Sequence, residues 1–172
     1  MHAPHENGHS VRVVESWSER IDRVDWASFR QEFQCGTVLR PEWIVSGARA
    51  RDRLLELRSG VHQASEAARA LHSDLCYSAI RVHSAAVPAL PFLIEVLDEE
   101  PPLVLTEDIL DIILGLSLAT NCVAVPDWVS GLRAQLQQLE PKLRVLASHP
   151  EGQVPSLARH ALRALDHPYP DE

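Results

Sequence analysis

Basic side chains are missing from a long central stretch of the chain, and lysine is almost missing altogether. Lys142 is the single lysine among 16 Lys and Arg residues, and no Lys or Arg lies between Arg81 and Arg133. Residues 1–86 hold eleven basic and eleven acidic side chains, whereas residues 87–172 hold five and thirteen, so the second half carries the whole net charge of -8. Nucleic acids and anionic membranes attract basic side chains. The sequence therefore argues against both as partners.

Cysteines are few, and they have no paired spacing. Cys35, Cys76 and Cys122 are an odd number, with no C-x-x-C pair and no secretory signal upstream. These features predict reduced thiols in a cytoplasmic protein, rather than a disulfide or a metal site. The longest apolar run, within residues 109–119, is too short to cross a bilayer, so we expect a soluble protein.

Aromatic and glycine residues are also scarce. Aromatics make up 5% of the chain while Ala and Leu dominate, which favours helices packed on helices over a β-sandwich or barrel. The seven glycines form no phosphate-binding loop, and neither H-E-x-x-H nor G-x-S-x-G occurs. We therefore predict a protein with no catalytic activity, no cofactor and no metal site. With 172 residues and 45% hydrophobic content, the chain can bury the core of one domain.

Residues 84–119 form the most apolar part of the chain, and they predict two helices joined by an acidic turn. The first helix starts no later than Pro88, after a lead-in at 84–87, and the paired prolines at 101–102 stop it. The second helix is predicted to begin after a Thr106 N-cap. Its apolar residues surround almost the whole cylinder, so it must be covered on nearly every side.

The flanking sequence predicts more amphipathic helices. Apolar residues recur at helical spacing in several segments, and Pro141 is predicted to bend or restart one of them. His2, His5 and His9 lie in an N-terminal stretch without a period, which indicates a solvated leader rather than a metal site. The predicted helical segments are 18–24, 26–33 with Asp25 as N-cap and with Trp26, Phe29 and Phe33 on one face, 41–47, 48–58, 61–80, 127–139, 142–148 and 154–165.

These helices are joined by short turns and recur as pairs at roughly forty residues. The pattern is typical of an all-α, right-handed, HEAT-like α-solenoid of about four stacked helix pairs. We predict a flexible leader at 1–15, a single helical domain at 16–167 and a polar tail at 168–172. The short helices before residue 48 are expected to cap the N-terminal end of the stack.

The run from Ala64 through Leu118 resembles small bacterial HEAT-repeat-like proteins. Its centre is SDLCYSAIRVHSAAVPALPFLIEVL, preceded by VDWASFRQEFQCGTVLRPEWI, and the resemblance covers about two thirds of the chain. In that group a His- or Gln-containing turn and an AAVPFL helix start precede two apolar helices. Residues 80–83 stand where the group has a Gln- and Gly-containing turn. The resemblance implies a binding module, in some members a toxin immunity protein, and no catalytic residue.

One enzyme alternative remains at this stage. His72 and Cys76 are spaced i, i+4, so a cysteine nucleophile with a neighbouring histidine could form on one helix face. Cys76 also falls on the apolar stripe of its predicted helix, which favours a buried core thiol instead.

Acidic residues cluster around the central turn, with no basic residue among them. The cluster lacks the aromatic platforms of a glycosidase cleft, and Pro101 and Pro102 occupy the place of a calcium-loop glycine. Plain solvation and a docking patch for a basic protein both remain, and we predict that an uncancelled acidic rim binds the partner. The predicted partner-binding residues are Glu95, Asp98, Glu99, Glu100, Glu107, Asp108, Asp111, Trp128 and Trp43.

The sequence thus predicts a cytoplasmic, monomeric, non-catalytic protein-binding module. The most specific prediction is an immunity protein that covers the active-site face of a basic toxin or effector domain. A HEAT-type scaffold subunit of a larger complex is the first alternative, and a cysteine-dependent enzyme is the second. A solenoid that binds alkylated DNA is disfavoured by the missing basic residues between 82 and 132.

Overall fold

The computed structural model describes residues 14–35 and 46–166, which fold mainly into α-helices. An all-α class is thus confirmed at the coarse level. The Trp26–Ser28 and Tyr77–Ala79 segments are short 3-10 turns, and two short strands, β1 (Glu32–Gln34) and β2 (Arg81–His83), pair with each other. The helices of this part of the chain are α1 (Trp17–Asp22), α2 (Ala48–Glu56), α3 (Val61–Leu75), α4 (Ala86–Asp98), α5 (Leu103–Ala119), α6 (Asp127–Gln137), α7 (Glu140–Leu146) and α8 (Val154–Asp166).

Helix α5 is the centre of the core. It packs against α3 on one side and α8 on the other, and it also contacts α4, α6 and the 3-10 turn at 77–79. Removing a large aliphatic side chain from water stabilises the fold by about 1.5–3 kcal/mol. The fully buried side chains of α5 include Ile109, Leu110, Ile112, Ile113 and Leu116. The prediction that this helix is covered on nearly every side is therefore confirmed.

The other helices extend this packing in a regular order. Helix α4 contacts α2, α5 and α6, while α5 contacts α3 and α8. Helices that follow each other along the chain also pack together, as α2 does with α3 and α7 with α8. Successive contacts of this kind bury the apolar face that each amphipathic helix presents.

The ends of the central helices differ from the prediction at two places. Helix α5 begins at Leu103, so Thr106 lies inside it and is not its N-cap. The Thr106 hydroxyl donates hydrogen bonds to the carbonyl oxygens of Pro101 and Pro102 at 3.2 and 3.3 Å. Helix α4 begins at Ala86, inside the predicted lead-in. The prediction that the paired prolines end α4 is confirmed, because the helix stops at Asp98.

The predicted helix over 26–33 is wrong. Trp26 begins a 3-10 turn, in which its indole nitrogen donates a hydrogen bond to the Ile21 carbonyl at 2.7 Å, and the chain then extends into β1. Strand β1 pairs antiparallel with β2, placing Phe33 opposite Val82. The predicted helix over 61–80 is also too long, because α3 ends at Leu75. The two strands supply each other's backbone hydrogen bonds, which a helix would otherwise satisfy locally.

The prediction of three reduced thiols is wrong for two of them. Cys35 and Cys122 form a disulfide, with their Cα atoms 6.1 Å apart, a separation within the usual range for such a bond. The bond joins the end of β1 to the loop after α5. Cys76 is a free thiol in the core, as predicted.

Among the described helices, none is long and apolar enough to span a membrane. Three predicted features lie outside the described residues: the leader histidines, Trp43 with most of the short helix at 41–47, and the polar tail. The predicted domain limits at 16 and 167 stay predictions.

Candidate functional sites: an acidic surface and a polar cavity

The acidic residues near the end of α4 have basic partners from distant parts of the chain. Glu95 accepts hydrogen bonds from both terminal nitrogens of Arg20, at 2.7 and 2.6 Å, and from Arg58 at 2.9 Å. Arg58 also pairs with Glu99, and its guanidinium lies 4.1 Å from the ring centroid of Trp17. Hydrogen bonding to Arg20, helped by the charges of Arg20 and Arg58, lowers the pKa of Glu95. This cluster connects α1 and the end of α2 to α4.

Other predicted site residues are engaged in the same way. Asp98 pairs with Lys142 of α7. Asp108 pairs with Arg69 of α3 at 3.2 Å and also accepts a hydrogen bond from Ser65.

Two carboxylates of α5 have weaker or uncharged partners. Glu107 accepts a hydrogen bond from the backbone nitrogen of Gln153 at 2.6 Å, just before α8 begins. Asp111 lies 3.7 Å from the ring nitrogen Nε2 of His72.

The prediction that this acidic cluster is uncancelled is therefore wrong. Arg20, Arg58, Arg69 and Lys142 oppose it, and the carboxylates face several different neighbouring elements rather than one common rim. Sequence inspection missed these partners because each lies at least 37 residues away along the chain. Three of the seven carboxylates have no Arg or Lys partner among the described residues: Glu100, Glu107 and Asp111.

Of the two tryptophans predicted to contact a partner, only Trp128 lies within the described residues. Trp128, near the start of α6, is half-buried and packs against the core. Trp43 lies outside the described residues.

Cys76 and His72 both lie beside Gly115 of α5, but their surroundings do not activate the thiol. A Cβ atom added to Gly115 would lie 2.7 Å from Cys76 Sγ and 3.1 Å from His72 Nε2. Cys76 is fully buried, and its thiol donates a weak hydrogen bond of 3.7 Å to the Ile112 carbonyl. Burial, together with the negative charge of Asp111, raises the pKa of Cys76. A cysteine nucleophile needs the opposite, an exposed thiol with a lowered pKa.

A polar cavity that the sequence did not predict lies between the β-ribbon, α2 and the end of α3. Its volume is about 200 Å³, and small residues such as Gly47, Ala50 and Ala85 form part of its wall. No group of three or more potential metal ligands occurs among the described residues. Its polar and charged lining includes Glu32, Arg49, Asp74, Tyr77, Arg81 and His83.

The charged groups of this cavity are poorly paired. Arg81 lies 3.5 Å from Glu32, and Arg49 lies 3.9 Å from Asp74, both longer than the 2.7–2.9 Å or so of a strong charge-assisted hydrogen bond. The Nε atom of Arg81 is buried without a hydrogen-bond partner. Burial raises the pKa of Asp74, and the nearby side chains of Arg49, Arg53 and His83 oppose that shift.

A strained turn forms one edge of the cavity. Ser78 and Ala79 have φ angles of 53° and 55°, in the left-handed region that residues with a Cβ atom rarely adopt. The residues on either side, Tyr77 and Ile80, are 61% and 55% exposed. The Arg81 guanidinium lies 5.9 Å from the ring centroid of Tyr77. The turn therefore presents one aromatic and one aliphatic side chain to solvent.

Comparison of the chain with protein-family models, with curated proteins and with solved structures gives no match.

Proposed function

We propose that the protein is a non-catalytic module that binds another protein, and more specifically an immunity protein that blocks a basic toxin or effector domain. The observation that carries the proposal is the strained turn at 77–80. It exposes Tyr77 and Ile80 on two left-handed residues, Ser78 and Ala79.

Strain and exposure at the same turn support a binding role. A residue held in a sparsely populated backbone region destabilises the fold by about 1–3 kcal/mol, and such residues concentrate at functional sites. Tyr is also among the residues that dominate binding energy at protein interfaces. The turn packs on α5, the most buried helix, so its exposed side chains project from a rigid support. A preorganised loop of this kind loses little entropy when it binds.

The remaining acidic charge supports a basic partner. Asp111 lies beside His72 of α3, and its charge acts on Cys76. Glu100 and Glu107 likewise have no Arg or Lys partner among the described residues. Together with the net charge of -8, these carboxylates would speed the approach of a basic protein. Glu95, Asp98, Glu99 and Asp108 contribute less, since basic side chains already oppose them.

The packing order of the helices supports a HEAT-like solenoid as the scaffold. In such a solenoid, each helix pair stacks on the next and contacts only its neighbours. Helices α2, α4 and α6 contact one another in that order, and α3, α5 and α8 do the same. We propose that these form the two layers of a short solenoid, to which α1 and the β-ribbon add an N-terminal cap.

The burial of Cys76 supports the non-catalytic part of the proposal. Its thiol is inaccessible and its pKa is raised, so His72 has no thiolate to stabilise. We therefore assign Cys76 and His72 to core packing rather than to catalysis.

The proposal is tested by capture followed by a growth assay. The wild-type protein and a Tyr77→Ala/Ile80→Ser variant would each be used as bait in lysate of the producing cells. A protein retained by the wild type would be produced on its own, and its growth inhibition measured with each bait variant co-expressed. We expect the turn variant to bind at least tenfold more weakly, because truncating interface anchors has effects of that order, and to lose protection.

A matched control keeps the outcomes distinct. Val145 on α7 is 73% exposed, and Val145→Ser should leave binding and protection unchanged. Equal binding by the turn variant and the wild type would overturn the turn as the interface. Loss of protection in Cys76→Ser with binding intact would overturn the non-catalytic assignment. A captured protein that does not inhibit growth would replace the immunity role with the scaffold role.

A further inference from the structure

The polar cavity beside the β-ribbon is lined by two ion pairs that are loose within the described part of the chain, Arg49 with Asp74 and Arg81 with Glu32. We propose that it binds a small zwitterion with a carboxylate and an ammonium group, the chemistry of a free α-amino acid. This goes beyond protein binding, because the ligand would sit inside the cavity rather than on the exposed side of the turn.

The guanidinium groups provide the binding site for the carboxylate. The buried Nε of Arg81 lacks a hydrogen-bond partner within the described part of the chain. Arg49 is largely exposed and reaches only to 3.9 Å from Asp74. A guanidinium binds a carboxylate through two parallel hydrogen bonds. A carboxylate in the cavity would therefore pair with Arg49 and with the guanidinium of Arg81, whose Glu32 partner lies 3.5 Å away.

Asp74 provides the binding site for the ammonium group. Its side chain is 23% exposed and accepts no hydrogen bond from the described residues; its nearest cation, Arg49, is too distant to donate one. Partial burial disfavours the charged form of this carboxylate, and this raises the pKa of Asp74. An ammonium group would donate short, charge-assisted hydrogen bonds to it.

The size and walls of the cavity fit a small metabolite. Its volume of about 200 Å³ is below the range of roughly 300–1,000 Å³ that is typical for drug-sized ligands. Ala50, Leu75 and Ala85 form apolar surface beside the charged groups, which suits a short aliphatic side chain. We therefore expect small amino acids to bind more tightly than large or charged ones.

The two charged parts of the proposed site, Arg81 and Asp74, are held by regular secondary structure. Glu32 and Arg81 are placed by the pairing of β1 with β2, in which Glu32 lies opposite His83 and Gln34 opposite Arg81. Asp74 lies in the last turn of α3, just before the strained turn. A site assembled from paired strands and a helix end is preorganised for its ligand, which reduces the entropy lost on binding.

Ligand binding to the full-length protein tests this inference. A panel of the twenty common L-amino acids would be screened by the shift in thermal midpoint, and positive ones titrated by calorimetry. We expect at least one small amino acid to bind, while its N-acetyl and its C-amide forms bind at least tenfold more weakly. Arg81→Gln and Asp74→Asn should each weaken binding by at least tenfold. Arg144→Gln, which changes an arginine of α7 outside the cavity, should leave binding unchanged.

Several results would overturn the inference. It fails if no amino acid binds, or if binding survives both Arg81→Gln and Asp74→Asn. It also fails if inorganic phosphate binds as tightly as the best amino acid, since the site would then select an anion only. Should Arg81→Gln not fold, Arg49→Gln replaces it, because Arg49 is mostly exposed. This test does not depend on the capture and growth assays. The proposed ligand and the proposed immunity role can therefore fail separately.

Discussion

Gly115 lies where α5 packs against α3, and the space that a side chain would need there is already occupied. Cys76 Sγ and His72 Nε2 both come within about 3 Å of the position where a Cβ atom would be. The thiol belongs to a buried residue that has no room to withdraw. A glycine at this point therefore permits the close contact between the two helices.

Gly115→Ala should lower the free energy of unfolding by about 1–3 kcal/mol, because adding a methyl group to a packed core forces neighbouring atoms to move. The measurement is urea denaturation followed by circular dichroism. Combining the change with Cys76→Ala should recover part of the loss, since the nearest obstructing atom is then absent.

Gly131→Ala is the matched control for this substitution. Gly131 lies within α6, and no atom comes within 4 Å of the position of its Cβ. Alanine there should raise the free energy of unfolding, by up to about 1 kcal/mol, through helix propensity alone. If Gly115→Ala were as stable as the parent, the close approach of α3 and α5 at this position would be wrong.

At the level of elements, the sequence correctly predicts several helix boundaries that depend on nearby residues. The predicted helix at 154–165 is observed as Val154–Asp166, and the restart at Pro141 is observed at the beginning of α7. The stop of α4 before Pro101 was predicted for the same reason, since a proline pair prevents further helix within a few residues. Such effects act over one turn of chain and can be inferred from a short window of sequence.

Elements that depend on distant partners were not predicted. Trp26, Phe29 and Phe33 have helical spacing, yet the strand that contains Phe33 is stabilised by Val82, far along the chain. The predicted uncancelled acidic rim failed for the same reason, because Arg20 lies 75 residues from Glu95 and Lys142 lies 44 residues from Asp98. The polar cavity likewise depends on the strand pairing. None of these contacts leaves a periodic pattern in the sequence.

The contact between Arg20 and Glu95 gives a prediction about how α1 is held to α4. The pKa of Glu95 is lowered below its ordinary value of 4.5, first of all by hydrogen bonds from Arg20. A carboxylate whose folded pKa is depressed stabilises the protein above its unfolded pKa, and this stabilisation is lost as the pH falls through the folded pKa. Glu95→Gln should therefore lower the free energy of unfolding at pH 7 by about 1 kcal/mol, a value reduced by solvent screening at this partly exposed site.

The difference between Glu95→Gln and the parent should shrink as the pH falls below 4.5, and urea denaturation at several pH values would measure it. Glu140→Gln provides the control, because Glu140 pairs with Arg144 four residues away on an exposed helix face. That change should have a smaller effect at pH 7. A difference for Glu95→Gln that stays constant from pH 7 down to acid would contradict the role of the ion pair.

On the scale of the whole molecule, the N-terminal elements are attached to the helical core at separate points. Arg20 and Arg58 connect α1 and α2 to α4, and the β-ribbon packs beside α3 through β2. The Cys35–Cys122 disulfide adds a covalent connection between the end of β1 and the loop after α5. The ribbon in turn positions Glu32 and Arg81 in the polar cavity, so this connection supports the shape of the proposed ligand site.

Removing the disulfide should therefore destabilise the protein as a whole. The bond spans 87 residues of chain, and a cross-link over so long a loop restricts the unfolded state strongly. Replacing Cys35 and Cys122 together by serine should lower the free energy of unfolding by about 2–4 kcal/mol, and the reduced parent should match the double variant. Maleimide labelling of the air-oxidised parent in denaturant, without reductant, should modify Cys76 alone. Three labelled thiols under those conditions, or a double variant as stable as the oxidised parent, would show that the bond does not form or does not hold the ribbon to the core.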